Sequence, residues 1–185
     1  MEVMPTSAVA WSHVMLERFL QQDHLVVDLT AGKGKDTLFA AKRARDVVAM
    51  DIQPAAIEQT RALLREQDIK NVRLICDSHE ALANYLDIAS VDAFVMNLGY
   101  LPGGDKDITT LWPSTKRTLE TILSSMKSGA LISLSIYPGH EAGKIESEGI
   151  EEMLAKLDQK KFKVNKITFP NQKHCPPYWV GIARC

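Results

Sequence analysis

The sequence of 185 residues predicts an α/β fold built on a mostly parallel sheet. Short runs rich in β-branched residues alternate with longer amphipathic stretches along nearly the whole chain, which is typical of βαβ units. The length suits one domain spanning residues 1–185, because single domains usually contain ~100 to 200 residues. The 22 Lys and Arg residues balance 23 Asp and Glu residues, and this net charge of -1 argues against a broad basic groove for nucleic acid.

The alternation places seven strands and six helices along the chain. The predicted strands are His24–Leu29, Asp46–Ile52, Val72–Asp77, Val91–Leu98, Ala130–Tyr137, Val164–Phe169 and Tyr178–Arg184. An opening helix carries Trp11, Met15 and Phe19 at four-residue spacing, and we expect this stripe to pack on the sheet. The other predicted helices, two of which begin with proline as first turns often do, are Asp36–Ala44, Pro54–Gln67, Ser78–Leu86, Pro113–Lys127 and Glu146–Lys160.

The last two strands are predicted to form a hairpin. Only PNQKHCPP separates Phe169 from Tyr178, and a segment this short and rich in proline leaves no room for a crossover helix. A seven-stranded, mostly parallel sheet with a C-terminal antiparallel hairpin and helices on both faces resembles the Rossmann-like class I methyltransferases, which use S-adenosylmethionine. Alternation alone allows a nucleotide-binding dehydrogenase equally well.

A glycine loop between the first strand and the next helix is the candidate ligand site. Its D-x-x-x-G-x-G pattern runs from Asp28 to Gly34, and Gly32 and Gly34 lack the Cβ atom that would hinder a close approach of backbone to ligand. A lone Gly-x-Gly is often only a tight turn. Asp51 ends the second strand near the position at which an acid binds ribose hydroxyls in dinucleotide folds, although it could also cap the following helix.

The loop favours S-adenosylmethionine over NAD. Thr37 stands where the dinucleotide pattern requires a third glycine or alanine, and Asp36 would repel a pyrophosphate at the helix N-terminus. Asp28 and Asp36 suit a cofactor that carries a sulfonium and an ammonium group. Ser78 and His79 follow the third strand, where such enzymes commonly hold the adenine edge, although these residues would serve equally well as an N-cap and a surface residue.

The fourth strand ends in Asn97-Leu98-Gly99-Tyr100, which resembles the N-P-P-Y motif of amino-group methyltransferases. The resemblance implies that the Asn97 side-chain oxygen and the Leu98 carbonyl accept hydrogen bonds from the target amine, while the Tyr100 ring packs on the substrate base. Leu98 and Gly99 replace the two prolines. As a plain loop, the string NLGYLPGGDK would only turn the chain after the strand.

A wider set of motifs is similar to the MnmM-type family, whose members were once labelled rRNA methylases. The matching segments are D-x-T-A-G-x-G-x-D-T at 28–37, D-I-Q at 51–53, S-H at 78–79, NLGYLPGGDK at 97–106, Y-P-G-H-x-x-G-K at 137–144 and N-Q-K-x-x-P-P at 171–177. The resemblance spans nearly the whole chain. It implies methylation of the 5-aminomethyl group of the wobble uridine in tRNA, often in its 2-thio form, with S-adenosylmethionine as cofactor and no metal.

The resemblance implies three groups of site residues. The catalytic pair is Asn97 and Tyr100. The residues expected to bind the cofactor are Asp28, Thr30, Gly32, Lys33, Gly34, Lys35, Asp36, Thr37, Asp51, Gln53, Ser78, His79 and Asn97. The residues expected to meet the substrate are Leu98, Gly99, Asp105, Lys106, Tyr137, His140 and Lys173, although a lone histidine such as His140 is more often a surface residue.

Two alternative functions remain open from the sequence. One is a methyltransferase of the same fold that acts on rRNA or a small amine, and the other is a non-catalytic protein that binds an adenosine cofactor. Three scattered cysteines and the lack of a signal or membrane segment predict a reducing, cytoplasmic setting. A homodimer would enlarge the surface for tRNA, but no sequence feature establishes one.

Overall fold

The protein, described by a computed structural model over residues 4–99 and 109–185, contains one seven-stranded sheet. The strand order is β3-β2-β1-β4-β5-β7-β6, and β7 alone runs antiparallel to its neighbours. The strands are β1 Leu25–Asp28, β2 Asp46–Asp51, β3 Val72–Cys76, β4 Ala93–Asn97, β5 Leu131–Ile136, β6 Phe162–Ile167 and β7 Tyr178–Arg184. The predicted mostly parallel sheet with a C-terminal antiparallel hairpin is confirmed.

Five α-helices lie along the described residues. They are α1 Ala8–Phe19, α2 Lys35–Ala41, α3 Pro54–Glu66, α4 Trp112–Ser125 and α5 Glu141–Ala155. Two buried clusters occupy the two faces of the sheet, as the alternation of side chains along each strand requires. Val27 and Phe94 face the cluster that contains Leu119 of α4, whereas Val26 faces the cluster that contains Leu16 of α1.

The buried stripe of α1 differs from the predicted one. Ala8, Ser12 and Leu16 are buried, whereas Trp11, Met15 and Phe19 are only partly covered. The Ser12 hydroxyl lies 2.8 Å from the Ser133 hydroxyl of β5 in a buried hydrogen bond. The buried stripe therefore combines one large apolar residue, Leu16, with the small residues Ala8 and Ser12, whereas the spacing of large apolar side chains alone indicates the neighbouring stripe.

Two predicted helices also differ in the structure. The segment predicted as helix Ser78–Leu86 is a 3₁₀-helix, His79–Asn84, and a second short 3₁₀-helix follows at Ile88–Ser90. Helix α5 begins at Glu141 rather than Glu146, because the His140 side chain accepts a hydrogen bond from the Gly143 N–H and caps it. A Cβ atom at Gly143 would lie 2.1 Å from the Tyr137 carbonyl, so this first turn requires glycine despite its low helix propensity.

Candidate functional site

The candidate site lies at the edge of the sheet where the parallel strands end. β1, β2 and β4 are parallel neighbours, and their last residues are Asp28, Asp51 and Asn97. β5 continues this edge, since Asn97 pairs with Ser135 near its end. Ligands of open α/β sheets bind outside the carboxyl ends of the strands, so the predicted site residues converge where that rule expects them.

Asp28 lies beneath the glycine loop and is only 1% exposed. One of its oxygens accepts a hydrogen bond from the Thr30 N–H at 3.1 Å, and the other accepts from the Thr37 hydroxyl at 2.6 Å. Burial, together with the nearby charge of Asp36, raises the pKa of Asp28 to about 7. Asp28 therefore braces the loop from inside, and a direct contact with the cofactor stays a prediction from the sequence.

The glycine loop is shaped by its contacts with α3. Gly32 and Gly34 have φ angles of 54° and 77°, in the left-handed region that favours glycine. The Gly32 carbonyl accepts a hydrogen bond from the Thr60 hydroxyl at 3.1 Å. A Cβ atom at Gly34 would lie 3.0 Å from the Thr60 Cα atom, so the absence of a side chain allows the loop and α3 to pack this closely.

Asp51 joins the second strand to the glycine loop. Its two oxygens accept hydrogen bonds from the Gly32 N–H and the Gln53 N–H, each at 2.9 Å. A carboxylate has about four acceptor positions, so capacity remains for ligand hydroxyls. Ile52, whose role the sequence did not suggest, follows directly and is 63% exposed. The apolar side chain is suited to pack on the flat adenine ring of an adenosine, and the neighbouring carboxylate is suited to bind the ribose hydroxyls.

A chain of hydrogen bonds connects Asn97 with Asp36 and His13. The Asn97 amide donates from Nδ2 to one Asp36 oxygen, and the other Asp36 oxygen lies 2.5 Å from His13 Nε2. The Asn97 backbone N–H donates to the Thr30 hydroxyl at 2.7 Å. The Asn97 Oδ1 atom is buried, and within residues 4–99 and 109–185 it has no hydrogen-bond partner. A buried acceptor of this kind suits a donor group on a bound molecule.

His79 lies partly buried above α4. Its Nδ1 is 2.7 Å from the Thr118 hydroxyl, which itself donates to the Ser114 carbonyl at 3.0 Å. The network therefore assigns the proton to Nδ1 and leaves Nε2 as an acceptor in the neutral ring. Burial lowers the pKa of His79, which favours this neutral form. Ser78 accepts a hydrogen bond from the Glu80 N–H, so the capping role considered for Ser78 is present.

Glu146 is a buried acid that the sequence reasoning missed. It is 2% exposed, and its oxygens accept hydrogen bonds from Thr115 at 2.5 Å and Thr110 at 2.8 Å. Burial raises the pKa of Glu146, and these two hydrogen bonds oppose part of the rise. The Thr110 hydroxyl also accepts the Gly99 N–H at 2.8 Å. The helical spacing of Gly143, Glu146 and Ile150 on one face is the signal that could have revealed it.

The remaining predicted residues occupy both buried and exposed positions around the site. Leu98 is buried, and Tyr137 packs beside Gly99, where burial and the charge of Asp36 raise the pKa of the Tyr137 hydroxyl. His140 caps α5, so the structure supplies a reason for this histidine other than proton transfer. The exposed predicted residues are Lys33 and Lys35, on the glycine loop and the start of α2, and Lys173 in the β6–β7 loop. The predicted Tyr100, Asp105 and Lys106 lie outside the described residues.

Within residues 4–99 and 109–185, histidine, cysteine and acidic side chains do not group in threes at metal-binding distances. The helices in the same ranges are too short or too polar to cross a bilayer.

The seven-stranded sheet with its antiparallel β7 is the fold of the class I methyltransferases, which use S-adenosylmethionine. The chain matches the sequence model of the family described as "Putative rRNA methylase" over residues 47–183. The chain belongs to this rRNA methylase family.

Three relatives illustrate the similarity. The chain is 37% identical over 153 residues to the chloroplastic tRNA (mnm(5)s(2)U34)-methyltransferase of Arabidopsis thaliana; the match covers 76% of this chain and 56% of that protein. A crystal structure of a "putative rRNA-methylase" from Clostridium thermocellum has a TM-score of 0.94 and 35% identity, covering 99% of this chain and all of the other. The crystal structure of a Streptococcus mutans protein described as "a putative methyltransferase", in complex with S-adenosylhomocysteine, has a TM-score of 0.90 and 30% identity, covering 98% of this chain and 100% of the other.

Proposed function

We propose that this methyltransferase transfers a methyl group to the 5-aminomethyl nitrogen of uridine, or 2-thiouridine, at the wobble position of tRNA. The observation that carries the proposal is Asn97 Oδ1, a buried acceptor at the carboxyl end of β4 that lacks a partner among the described residues. An amine is the donor that such an oxygen would orient. The name of the Arabidopsis relative, which specifies a modified wobble uridine, supports this choice of amine.

The residues around the loop fit S-adenosylmethionine. Asp51 retains acceptor positions for the ribose hydroxyls, Ile52 offers an apolar surface for adenine, and His79 Nε2 offers an acceptor for the adenine amino group. Asp36 would supply negative charge for the sulfonium and the ammonium group, and Asp28 would supply less of it near neutral pH, because burial raises its pKa to about 7. S-adenosylmethionine supplies an electrophilic methyl group when bound. The remaining work of the protein is to orient the amine and to exclude water around it.

Asn97 and Leu98 are proposed to orient the target nitrogen. The Asn97 amide group faces Asp36, so its oxygen points the other way and can accept an N–H of the amine. The Leu98 backbone N–H donates a hydrogen bond to the Ser135 carbonyl at 2.9 Å. This bond holds Leu98, and with it the Leu98 carbonyl, at the edge of the sheet. Two acceptors on the amine hydrogens would direct its lone pair toward the methyl group. Packing of Tyr100 on the uracil ring, and substrate contacts from Asp105 and Lys106, remain predictions.

The RNA contact is proposed to be local. The net charge of -1 provides little general attraction for phosphates, but exposed lysines lie near the site. Lys33 is in the glycine loop, Lys35 begins α2, and Lys173 is in the β6–β7 loop. β6 is parallel to β4 and β5, so the β6–β7 loop begins at the same edge of the sheet as the site. Few phosphate contacts imply a shallow dependence of tRNA affinity on salt. A cytoplasmic location and a homodimer remain predictions from the sequence.

The test is mass spectrometry of tRNA nucleosides from a strain that lacks the gene. We expect unmethylated 5-aminomethyluridine, or its 2-thio form, to accumulate, and the purified protein with S-adenosylmethionine to methylate that tRNA. An unchanged wobble-uridine profile, or methyl transfer to rRNA or a small amine alone, would contradict the proposal.

The Asn97→Ala variant tests the role of the amide. Loss of the acceptor should lower kcat by ~10²-fold or more, the usual range when a group that orients or stabilises the reacting atoms is removed. Asn165→Ala, at an exposed position on the edge strand β6, is the matched control. Wild-type turnover in Asn97→Ala would show that the assignment of Asn97 is wrong.

A further inference from the structure

His13 of α1 contacts Asp36 at the carboxylate oxygen that Asn97 does not use. Its Nε2 lies 2.5 Å from Asp36 Oδ1, and the two side chains are 29% and 14% exposed. A carboxylate oxygen only accepts hydrogen bonds, so Nε2 carries the proton of this contact. Residues 13 and 36 are on different helices, α1 and α2, so the bond couples the N-terminal helix to the glycine-loop region.

The His13 ring is held in place by its other neighbours. It stacks on the Phe39 ring with centroids 4.0 Å apart and an angle of 10° between the planes. The Phe39 ring is also covered by the Arg43 guanidinium, whose carbon lies 3.7 Å from the ring centroid. Arg43 in turn forms an ion pair with Glu17 at 2.9 Å. Stacking restricts the rotation of the imidazole, so Nε2 is oriented toward Asp36 before any ligand binds.

Asp36 passes this orientation to Asn97. One carboxylate oxygen is bonded to His13, and the other accepts the Asn97 Nδ2–H. The Nδ2 and Oδ1 atoms of an asparagine exchange places when its terminal torsion turns by half a rotation, and the partner of Nδ2 decides which arrangement is stable. A fixed Asp36 therefore keeps Oδ1 on the side away from α2, where it has no partner among the described residues.

We infer that His13 is a positioning residue for methyl transfer, acting through Asp36 to hold the Asn97 amide with its oxygen toward the target amine. This inference rests on the proposed role of Asn97. The contacts of His13 are with Asp36 and Phe39, and its effect on the amine passes through the Asn97 amide, so its loss should affect kcat more than KM for tRNA. The arrangement parallels enzymes in which a buried partner orients the group that acts on the substrate.

Two substitutions separate the hydrogen bond from the packing. His13→Phe keeps an aromatic ring to stack on Phe39 but has no nitrogen for Asp36. His13→Gln loses the ring but places an amide N–H at about the reach of Nε2. We expect His13→Phe to lower kcat by ~10-fold to 100-fold, the scale for a misplaced reacting group, with KM for tRNA changed less than ~3-fold, and His13→Gln to recover most of the loss.

A spectroscopic measurement tests the coupling without any substrate. The Asn97 side-chain amide signals in a ¹H–¹⁵N spectrum, assigned by their loss in Asn97→Ala, should move in His13→Phe and remain near their wild-type positions in His13→Gln. If His13→Phe does not fold, His13→Leu takes its place. Unmoved Asn97 signals, or a wild-type kcat, in the variant without a nitrogen would overturn the inference. A wild-type protein that methylates no aminomethyl tRNA would instead disprove the proposed function and leave the spectra to decide the coupling.

Discussion

Replacing Asp28 by asparagine should make the stability of the ligand-free protein less dependent on pH. Asp28 is 1% exposed, and its pKa is raised from the ordinary value of 3.8 to about 7, mainly because burial disfavours the charged carboxylate. The folded state thus binds this proton more tightly than the unfolded state. Its contribution to stability is fully present below pH 3.8 and is lost as the pH rises to about 7.

The size of the effect follows from the width of this window. One group changes the free energy of unfolding by about 1.4 kcal/mol for each pH unit between its two pKa values. The interval from 3.8 to about 7 therefore corresponds to ~4 kcal/mol, and the part between pH 5 and pH 8 to ~3 kcal/mol. Asparagine cannot ionise, so the Asp28→Asn variant should lack this pH-dependent loss of unfolding free energy, whatever its stability at pH 5.

Urea unfolding of the two proteins at pH 5 and pH 8 measures the difference. Between the two pH values the wild type should lose ~3 kcal/mol more than Asp28→Asn, by the linkage relation. Asp68→Asn, which removes a carboxylate from a side chain that is 85% exposed, controls for the change in total charge. Equal losses in the wild type and Asp28→Asn would refute the explanation by burial of this carboxyl group.

Two further substitutions test the packing that supports the site. Gly34→Ala should destabilise the protein by ~1–3 kcal/mol more than Gly129→Ala in thermal or urea unfolding, because both positions have positive φ but only a Cβ at Gly34 would press against Thr60. Equal losses of stability in the two variants would show that the glycine loop shifts to accommodate the added Cβ atom. Glu146→Gln should lower stability by ~1–3 kcal/mol, because one amide oxygen replaces two buried acceptors of threonine hydroxyls. Glu148→Gln, on an exposed side chain of the same helix, is the control, and an equal result for both would contradict this reasoning.

The strands could be predicted from local sequence because each is a short β-branched run. Every predicted strand has a counterpart, and no end differs by more than two residues, the largest difference being at β6, Phe162–Ile167. Helix ends were harder where a side chain decides them. His140 caps α5, which begins at Glu141, five residues before the predicted start at Glu146, and this cap becomes visible only when His140 meets the Gly143 N–H.

The candidate site divides in a similar way. The sequence pointed to the glycine loop, Asp51 and Asn97, because their positions after strands place them at one edge of any parallel sheet. It did not point to His13 or Glu146. These two residues act through partners that are 23 and 31 to 36 positions away, and no local pattern reports such contacts.

Taken alone, the sequence determined the order of the elements, the mostly parallel sheet with its final hairpin, and the edge at which the polar residues collect. These features follow from local propensity, from side-chain periodicity and from the length of each connection. Only the tertiary structure decided that Asp28 lies buried under the loop, and that Asp36 links His13 to Asn97. Burial and hydrogen bonding between distant residues depend on how helices pack on the sheet, because packing brings side chains together that are far apart in the chain.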